Sequence, residues 1–240
     1  MRPSLVFLHG FGEDARIWDD FIPRRFSDEV IHIPNYADWA DCPTIAAYAR
    51  KIEHTLPQNE IFVLIGHSMG GYIALEIAKQ FPERIQGVVM LHSTPLADSR
   101  EKQAQRDKTA AFIQEHGSET FIKSFVANLF APEFVVAHRH LMEKLANRYV
   151  TISQAGLVAA TLAMKVRADL VGFVQSTNIP MLFVLGEKDP LIPTDSIVEV
   201  LKGKAQHKYV ILSAVAHQGC YEAPEETYAA INQFINEIHA

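Results

Sequence analysis

Residues 61–81 read IFVLIGHSMGGYIALEIAKQF. Apolar residues run unbroken from Ile61 to Ile65, and Gly66-His67-Ser68-Met69-Gly70 follows at once. An amphipathic pattern begins directly after it. A continuous apolar run is the mark of a strand buried on both faces of a parallel sheet. Such a strand would ordinarily pass through a polar loop before the next helix. Here the turn is compressed to a few residues, and Ser68 stands in the middle of it. A turn this tight strains the backbone of its central residue and projects that side chain above the sheet. Glycines on either side carry no Cβ, so neighbouring elements can close in on it. The free N–H groups of the following helix favour negative charge at the same spot. The pattern G-x-S-x-G is common by itself; its strand–turn–helix setting makes Ser68 a candidate nucleophile.

A serine hydroxyl needs a base, and the base needs an acid to orient it. Downstream, VLGEKDPLIP places Asp189 just past a strand end, and LSAVAHQGCYEAPEE places His217 past the last strand. The order Ser, Asp, His is one in which such triads occur. All three positions follow the carboxyl ends of strands, where open parallel sheets keep their sites. Asp98, in STPLADSR, is a rival acid, but it sits some residues beyond its strand. Developing negative charge on a substrate oxygen needs donors as well. FLHGFGED follows the first strand, so the Phe11 N–H is one candidate, and the Met69 N–H, next after the serine, is the other. His9, His67 and His92 read as buried supports of their loops rather than as catalysts.

The rest of the chain alternates. Apolar runs recur at 4–10, 29–35, 61–66, 87–93, 181–186 and 208–213, and helical patterns lie between most of them, at 44–56, 72–81, 195–203 and 224–238. Strand–helix alternation predicts an α/β protein with a mostly parallel sheet of about six strands flanked by helices. One region breaks the rhythm. From about Ala97 to Ser176 no strand is visible, and successive helical patterns are punctuated by Gly117 and Pro132. The expected organisation is a core domain made of residues 1–96 and 177–240 with a helical cap insertion at 97–176. No low-complexity linker flanks the insertion, so it should pack on the core. Phe112, Phe121, Phe125, Leu129 and Phe130 are its apolar candidates for a substrate pocket, with Phe125 and Phe130 the first choices.

Composition excludes several classes. The chain has 240 residues, 48% of them hydrophobic and 21% charged, which suits one sizeable core. A net charge of −6 leaves no basic footprint for nucleic acid or an anionic membrane surface. No apolar segment approaches the ~18 residues of a membrane span. The start, MRPSLVFLHG, lacks the small-residue cleavage site of a signal peptide. Neither of the two cysteines, Cys42 and Cys220, belongs to a metal-ligand pair, which sets the expectation of a reducing, cytoplasmic location.

These pieces together resemble the α/β-hydrolase superfamily, and within it the esterase and enol-lactonase-like members. LVFLHGFGED, IGHSMGGYIALEIAKQFPERIQGVVML, LGEKDPLIP and AHQGCYEAPEE carry the likeness and cover nearly the whole expected core. The resemblance implies Ser68 as nucleophile, His217 as base and Asp189 as acid, with Phe11 and Met69 at an oxyanion hole. It implies a small-molecule ester substrate and neither metal nor organic cofactor. Two departures stand out. The chain begins at the strand that usually comes third in the family, and IPNYADWADCP lacks the glycine-rich turn common after the next strand. A serine at the elbow argues against the dehalogenase and epoxide-hydrolase branches, which use aspartate there. HGFG in place of HGGG disfavours the lipase-like branch. Ester hydrolysis is the leading expectation. Opening an enol-lactone or cleaving a carbon–carbon bond with the same triad, or binding a ligand without turnover, are the alternatives.

Overall fold

The fold is that of a computed structural model, which describes residues 3–23, 25–26 and 29–239. Residues 1, 2 and 240, at the outer ends of the expected core segments, lie outside the described residues. In chain order the elements are β1 (Ser4–Leu8), β2 (Ile31–His32), α1 (Ile45–Glu53), β3 (Phe62–His67), α2 (Met69–Gln80), β4 (Ile85–Leu91), α3 (Arg100–Phe125), α4 (Pro132–Ala137), α5 (Arg139–Tyr149), α6 (Gln154–Lys165), α7 (Val171–Ser176), β5 (Met181–Gly186), α8 (Thr194–Leu201), β6 (His207–Leu212), α9 (Gly219–Glu222) and α10 (Pro224–His239). The strands form one six-stranded sheet in the order β2-β1-β3-β4-β5-β6, every pair parallel.

Register decides where the site can be. Leu8 pairs with Gly66, so the loop after β1 lies beside the turn after β3. Gly186 pairs with Leu212, so the loops after β5 and β6 also leave the sheet side by side. All four loops emerge at the carboxyl edge. Apolar side chains cover both faces of the sheet. Phe7, Val63, Ile65, Val89 and Val184 pack with Trp18, Phe21 and Phe234 on one face. Leu8, Leu64, Val88 and Phe183 pack toward α1 and α2 on the other. That second core continues without a break into the helices between β4 and β5, through Ile113, Ile122, Leu145, Leu157 and Met164. Burying side chains of this size contributes roughly 1.5–3 kcal/mol each, which is what fastens the helical segment to the sheet.

The two edge strands differ from the sequence reading. The run at 29–35 yields only two paired residues, with Val30 60% and Ile33 40% exposed. The run at 208–213 forms a full strand, yet Lys208 to Ile211 face solvent. Both runs look like buried strands because they are apolar, but each lies at a sheet edge with a partner on one side only. In the helical segment, Gly117 interrupts α3 as expected: its φ of 84° and ψ of 165° are not helical, and two helical stretches meet there at a kink. Open space surrounds the position, so the left-handed backbone, and not crowding, is what calls for glycine.

Candidate active site

β3 ends at His67 and α2 begins at Met69, so Ser68 alone makes the turn. Its φ of 52° is in the left-handed region that disfavours a side chain. The turn is held by the Ser68 N–H donating to the Leu91 carbonyl at 2.9 Å and by the Ser93 hydroxyl donating to the Ser68 carbonyl at 2.7 Å. A Cβ on Gly66 would sit 2.4 Å from the Gly70 oxygen, and one on Gly70 would sit 2.2 Å from the Leu8 oxygen. Both glycines are therefore required by close backbone approach. Strain of this kind costs on the order of 1–3 kcal/mol. Ser68→Gly should accordingly melt above Ser68→Ala, since both lack the hydroxyl and differ in backbone tolerance. A lower melting temperature for the glycine variant would refute the strained turn.

The Ser68 hydroxyl donates to His217 Nε2 at 2.8 Å, and His217 Nδ1–H donates to Asp189 Oδ2 at 2.7 Å. The structure thus brings together the three residues singled out in the sequence. Asp189 is fixed from its other oxygen. Oδ1 accepts the N–H groups of Leu191 at 2.8 Å and Ile192 at 3.1 Å, an Asx turn closed against Pro190. Burial by itself would raise the Asp189 carboxyl. The His217 charge and hydrogen bond outweigh it and hold the group well below the usual carboxylate range. Asp98 is elsewhere engaged, in ion pairs with Arg167 at 2.6 Å and Arg106 at 3.1 Å.

His92 adds a contact that the sequence did not reveal. Its Nε2 accepts the Gly219 N–H at 3.1 Å, which leaves the proton on Nδ1. Nδ1 faces Asp189 Oδ2 at 3.5 Å. Burial depresses this imidazole to about 4, so it stays neutral behind the carboxylate. His92 and His67 are both buried supports, as expected; so is His9, which donates from Nδ1 to the Gly10 carbonyl and stacks on Tyr36 at 3.8 Å.

The loop after β1 sets Phe11 beside the turn. Among the described residues no protein acceptor takes the N–H of Phe11 or of Met69. Both are therefore free to donate. Met69 lines a small separate cavity with His9 and Leu157, so its backbone is the candidate for the site. Glu13, missed in the sequence, organises this loop. It is 3% exposed, accepts the Gly10 N–H at 2.7 Å and the Gln218 amide at 3.1 Å, and pairs with His67. His67 in turn donates from Nε2 to the His217 carbonyl at 2.8 Å. One buried ion pair thus ties together the loops that carry Phe11, Ser68 and His217. The acid in HGFGED and the histidine beside Ser68 were the available signals; their pairing across more than fifty residues of chain was not.

A cavity of about 350 Å³ opens over Ser68 and His217. Phe121, Phe125 and Leu129 line it with Phe11, Met164 and Ile192. Phe11 packs against Phe121 and Phe125 at 5.6 and 5.5 Å, so these aromatics both wall the cavity and dock the helical segment. Two expected lining residues are corrected. Phe130 is buried but stacks on Phe134 outside the cavity wall, and Phe112 is 38% exposed beside His116. Helical periodicity by itself does not say which apolar side chain faces which neighbour. One side of the wall is polar, with Asp98, Lys102, Gln105, Arg106 and Thr109. Among the described residues, no group of three or more histidine, cysteine or acidic side chains could hold a metal ion. No helix among them is long and apolar enough to cross a membrane. Cys42 and Cys220 are buried free thiols.

Comparison with known proteins adds four findings. Residues 3–224 match the profile of the alpha/beta hydrolase fold family. The chain is 27% identical over 262 residues to the biotin biosynthesis bifunctional protein BioHC of Teredinibacter turnerae, covering 98% of this chain and 45% of that protein, so it spans about half the length of that relative. It is 24% identical over 248 residues to the pimeloyl-[acyl-carrier protein] methyl ester esterase of Aeromonas hydrophila, covering 97% and 95% of the two chains. Among solved structures, a thermophilic esterase from Thermogutta terrifontis superposes with a TM-score of 0.90 at 21% identity, covering 99% of this chain and 91% of that one.

Proposed function

Because this chain belongs to the alpha/beta hydrolase family, we propose that it is a serine hydrolase that cleaves carboxylic esters through an acyl-enzyme. The observation that carries the reading is the unbroken hydrogen-bond line from Ser68 through His217 to Asp189 at the floor of the cavity. His217 Nε2 accepts the Ser68 proton as Oγ attacks the ester carbonyl. Asp189 keeps His217 in the tautomer whose Nε2 can accept and stabilises the imidazolium that forms. The carbonyl oxygen becomes an oxyanion between the Phe11 and Met69 N–H groups. One such donor is worth about 2.7–4 kcal/mol in the transition state. His217 returns its proton to the departing alcohol. Water then repeats the attack on the acyl-enzyme, with His217 again as base.

The apolar wall of Phe121, Phe125, Leu129 and Met164 supports an acyl chain of small to medium length, and the helices between β4 and β5 act as a cap over Ser68. That a methyl ester esterase is among the relatives is in keeping with this chemistry. A fluorophosphonate probe should label the protein once per chain, on Ser68, and p-nitrophenyl esters of short to medium acids should be turned over with a burst of one equivalent. Labelling at another residue would overturn the nucleophile. Saturable ester binding without turnover or labelling would favour a ligand receptor on the same fold.

A further inference from the structure

The polar side of the cavity is built from one face of α3. Lys102, Gln105, Arg106 and Thr109 recur at the i, i+3, i+4, i+7 spacing and all line the cavity. Immediately beyond them the same helix buries Ala110 and Ile113. The four residues form the rim of the cavity, with Lys102 and Gln105 exposed and Arg106 and Thr109 half-buried, and two of the four are cations.

Their charges are not balanced by the protein. Asp98 is the single carboxylate beside them in the wall, and the buried Arg167 already pairs with it at 2.6 Å. Arg106 gives Asp98 only its Nε–H, at 3.1 Å, and its terminal N–H groups have no protein acceptor among the described residues. Lys102 donates to a neutral partner, the Leu191 carbonyl, at 3.2 Å. Three cations, Lys102, Arg106 and Arg167, meet one carboxylate in the wall, Asp98; Asp189, which also acts on Lys102, is engaged by His217. Low-dielectric walls focus such a field into the cavity. The placement also works against the helix itself, because Lys102 lies in the first turn of α3, where the macrodipole disfavours a cation. Neutralising Asp98 accounts for Arg167 and for one N–H of Arg106; it accounts neither for Lys102 nor for the free fork of Arg106.

We propose that Lys102 and Arg106 form an anion subsite, and that the preferred substrates are small esters bearing a carboxylate, such as half-esters of dicarboxylic acids. The proposal rests on the ester-hydrolase reading given above. The reacting ester lies at Ser68 among the aromatic side chains. The carboxylate lies at the α3 wall, where the Arg106 fork can take it bidentately and Lys102 adds a point charge.

The test compares mono-p-nitrophenyl glutarate with p-nitrophenyl pentanoate, esters of equal acyl length that differ in the terminal carboxylate. The wild-type protein should favour the charged ester in kcat/KM by roughly tenfold or more, mostly through KM, and added salt should erode that preference. Lys102→Glu should reverse the preference, and Arg106→Gln should bring the ratio close to one. Asp98 keeps Arg167 in the second variant, and Lys102 is exposed at the rim, so neither change leaves a buried charge without a partner. Lys108→Glu, a charge reversal on the exposed side of the same helix, should leave the ratio at the wild-type value. A ratio near one in the wild type, or a ratio that both pocket variants leave untouched, would overturn the subsite. Turnover of p-nitrophenyl pentanoate reports on ester hydrolysis separately, so either reading can fail without the other.

Discussion

For a p-nitrophenyl ester, Ser68→Ala is expected to lower kcat by roughly 10⁶-fold and Asp189→Asn by roughly 10⁴-fold, with the fold intact. The serine variant removes the attacking oxygen. The asparagine variant acts through geometry that is already fixed. Two backbone donors, the N–H groups of Leu191 and Ile192, point at Oδ1 of residue 189. An asparagine there must offer its oxygen to them, because an amide NH₂ would meet donor with donor. Its NH₂ is then directed at His217 Nδ1, which becomes an acceptor and leaves the ring proton on Nε2. That nitrogen can no longer take the proton of Ser68. The comparison is Asp98→Asn. Asp98 is 5% exposed and pairs with Arg167, whose side chain is also buried, so this change should fall on the melting temperature more than on kcat. Steady-state kinetics on the three variants decides the matter. A nearly silent Asp189→Asn beside a crippled Asp98→Asn would move the acid to the loop after β4.

The candidate nucleophile, base and acid were legible because each one sits in a local pattern. A strand-to-helix turn with flanking glycines, a Lys-Asp-Pro turn and a histidine after the last apolar run can each be recognised within about ten residues of chain. Parallel strand order then makes their convergence at one sheet edge nearly obligatory. What stayed hidden depends on distant pairing. Glu13 and His67 are 54 positions apart, and nothing local says that they meet. The edge strands were misread because an apolar run reports hydrophobicity and not the number of neighbours. Val210 and Ile211 belong to such a run and are 37% and 45% exposed. The aromatic residues of the helical segment stand out as a group in the sequence, but its cations do not, since a charged residue on a helix is most often a solvated one. Lys102 and Arg106 do more than face solvent, because α3 is laid along the cavity mouth and both line it.

Glu13→Ala is expected to lower the melting temperature by roughly 10 °C. Removing one member of a buried ion pair costs about 3–5 kcal/mol, and a chain of this size loses about 2–4 °C per kcal/mol. The cost is high because the carboxylate has three partners: the Gly10 N–H, the Gln218 amide and His67. Both ring nitrogens of His67 face acceptors, Glu13 on one side and the His217 carbonyl on the other, so the doubly protonated imidazolium fits the site. Burial by itself would lower the His67 pKa; the Glu13 charge and hydrogen bond overcome it and raise the value above 6.5. Burial likewise pushes Glu13 up, and His67 brings it below 4.5. The depressed carboxylate contributes stability above about pH 4.5, which is lost as pH falls through its folded value. The raised imidazole contributes stability below about pH 6.5, which is lost as pH rises through its folded value. The gap in melting temperature between wild type and Glu13→Ala should therefore be widest between about pH 4.5 and 6.5 and narrow on both sides. Glu13→Gln, which keeps an acceptor for Gly10 but not the charge, should fall between the two. Turnover should fall as well, because the His67 ring that Glu13 holds also anchors the His217 carbonyl. Thermal melts of the three proteins from pH 4 to 9 measure this directly; a gap that is flat across that range would show that Glu13 acts by shape and hydrogen bonding without its charge.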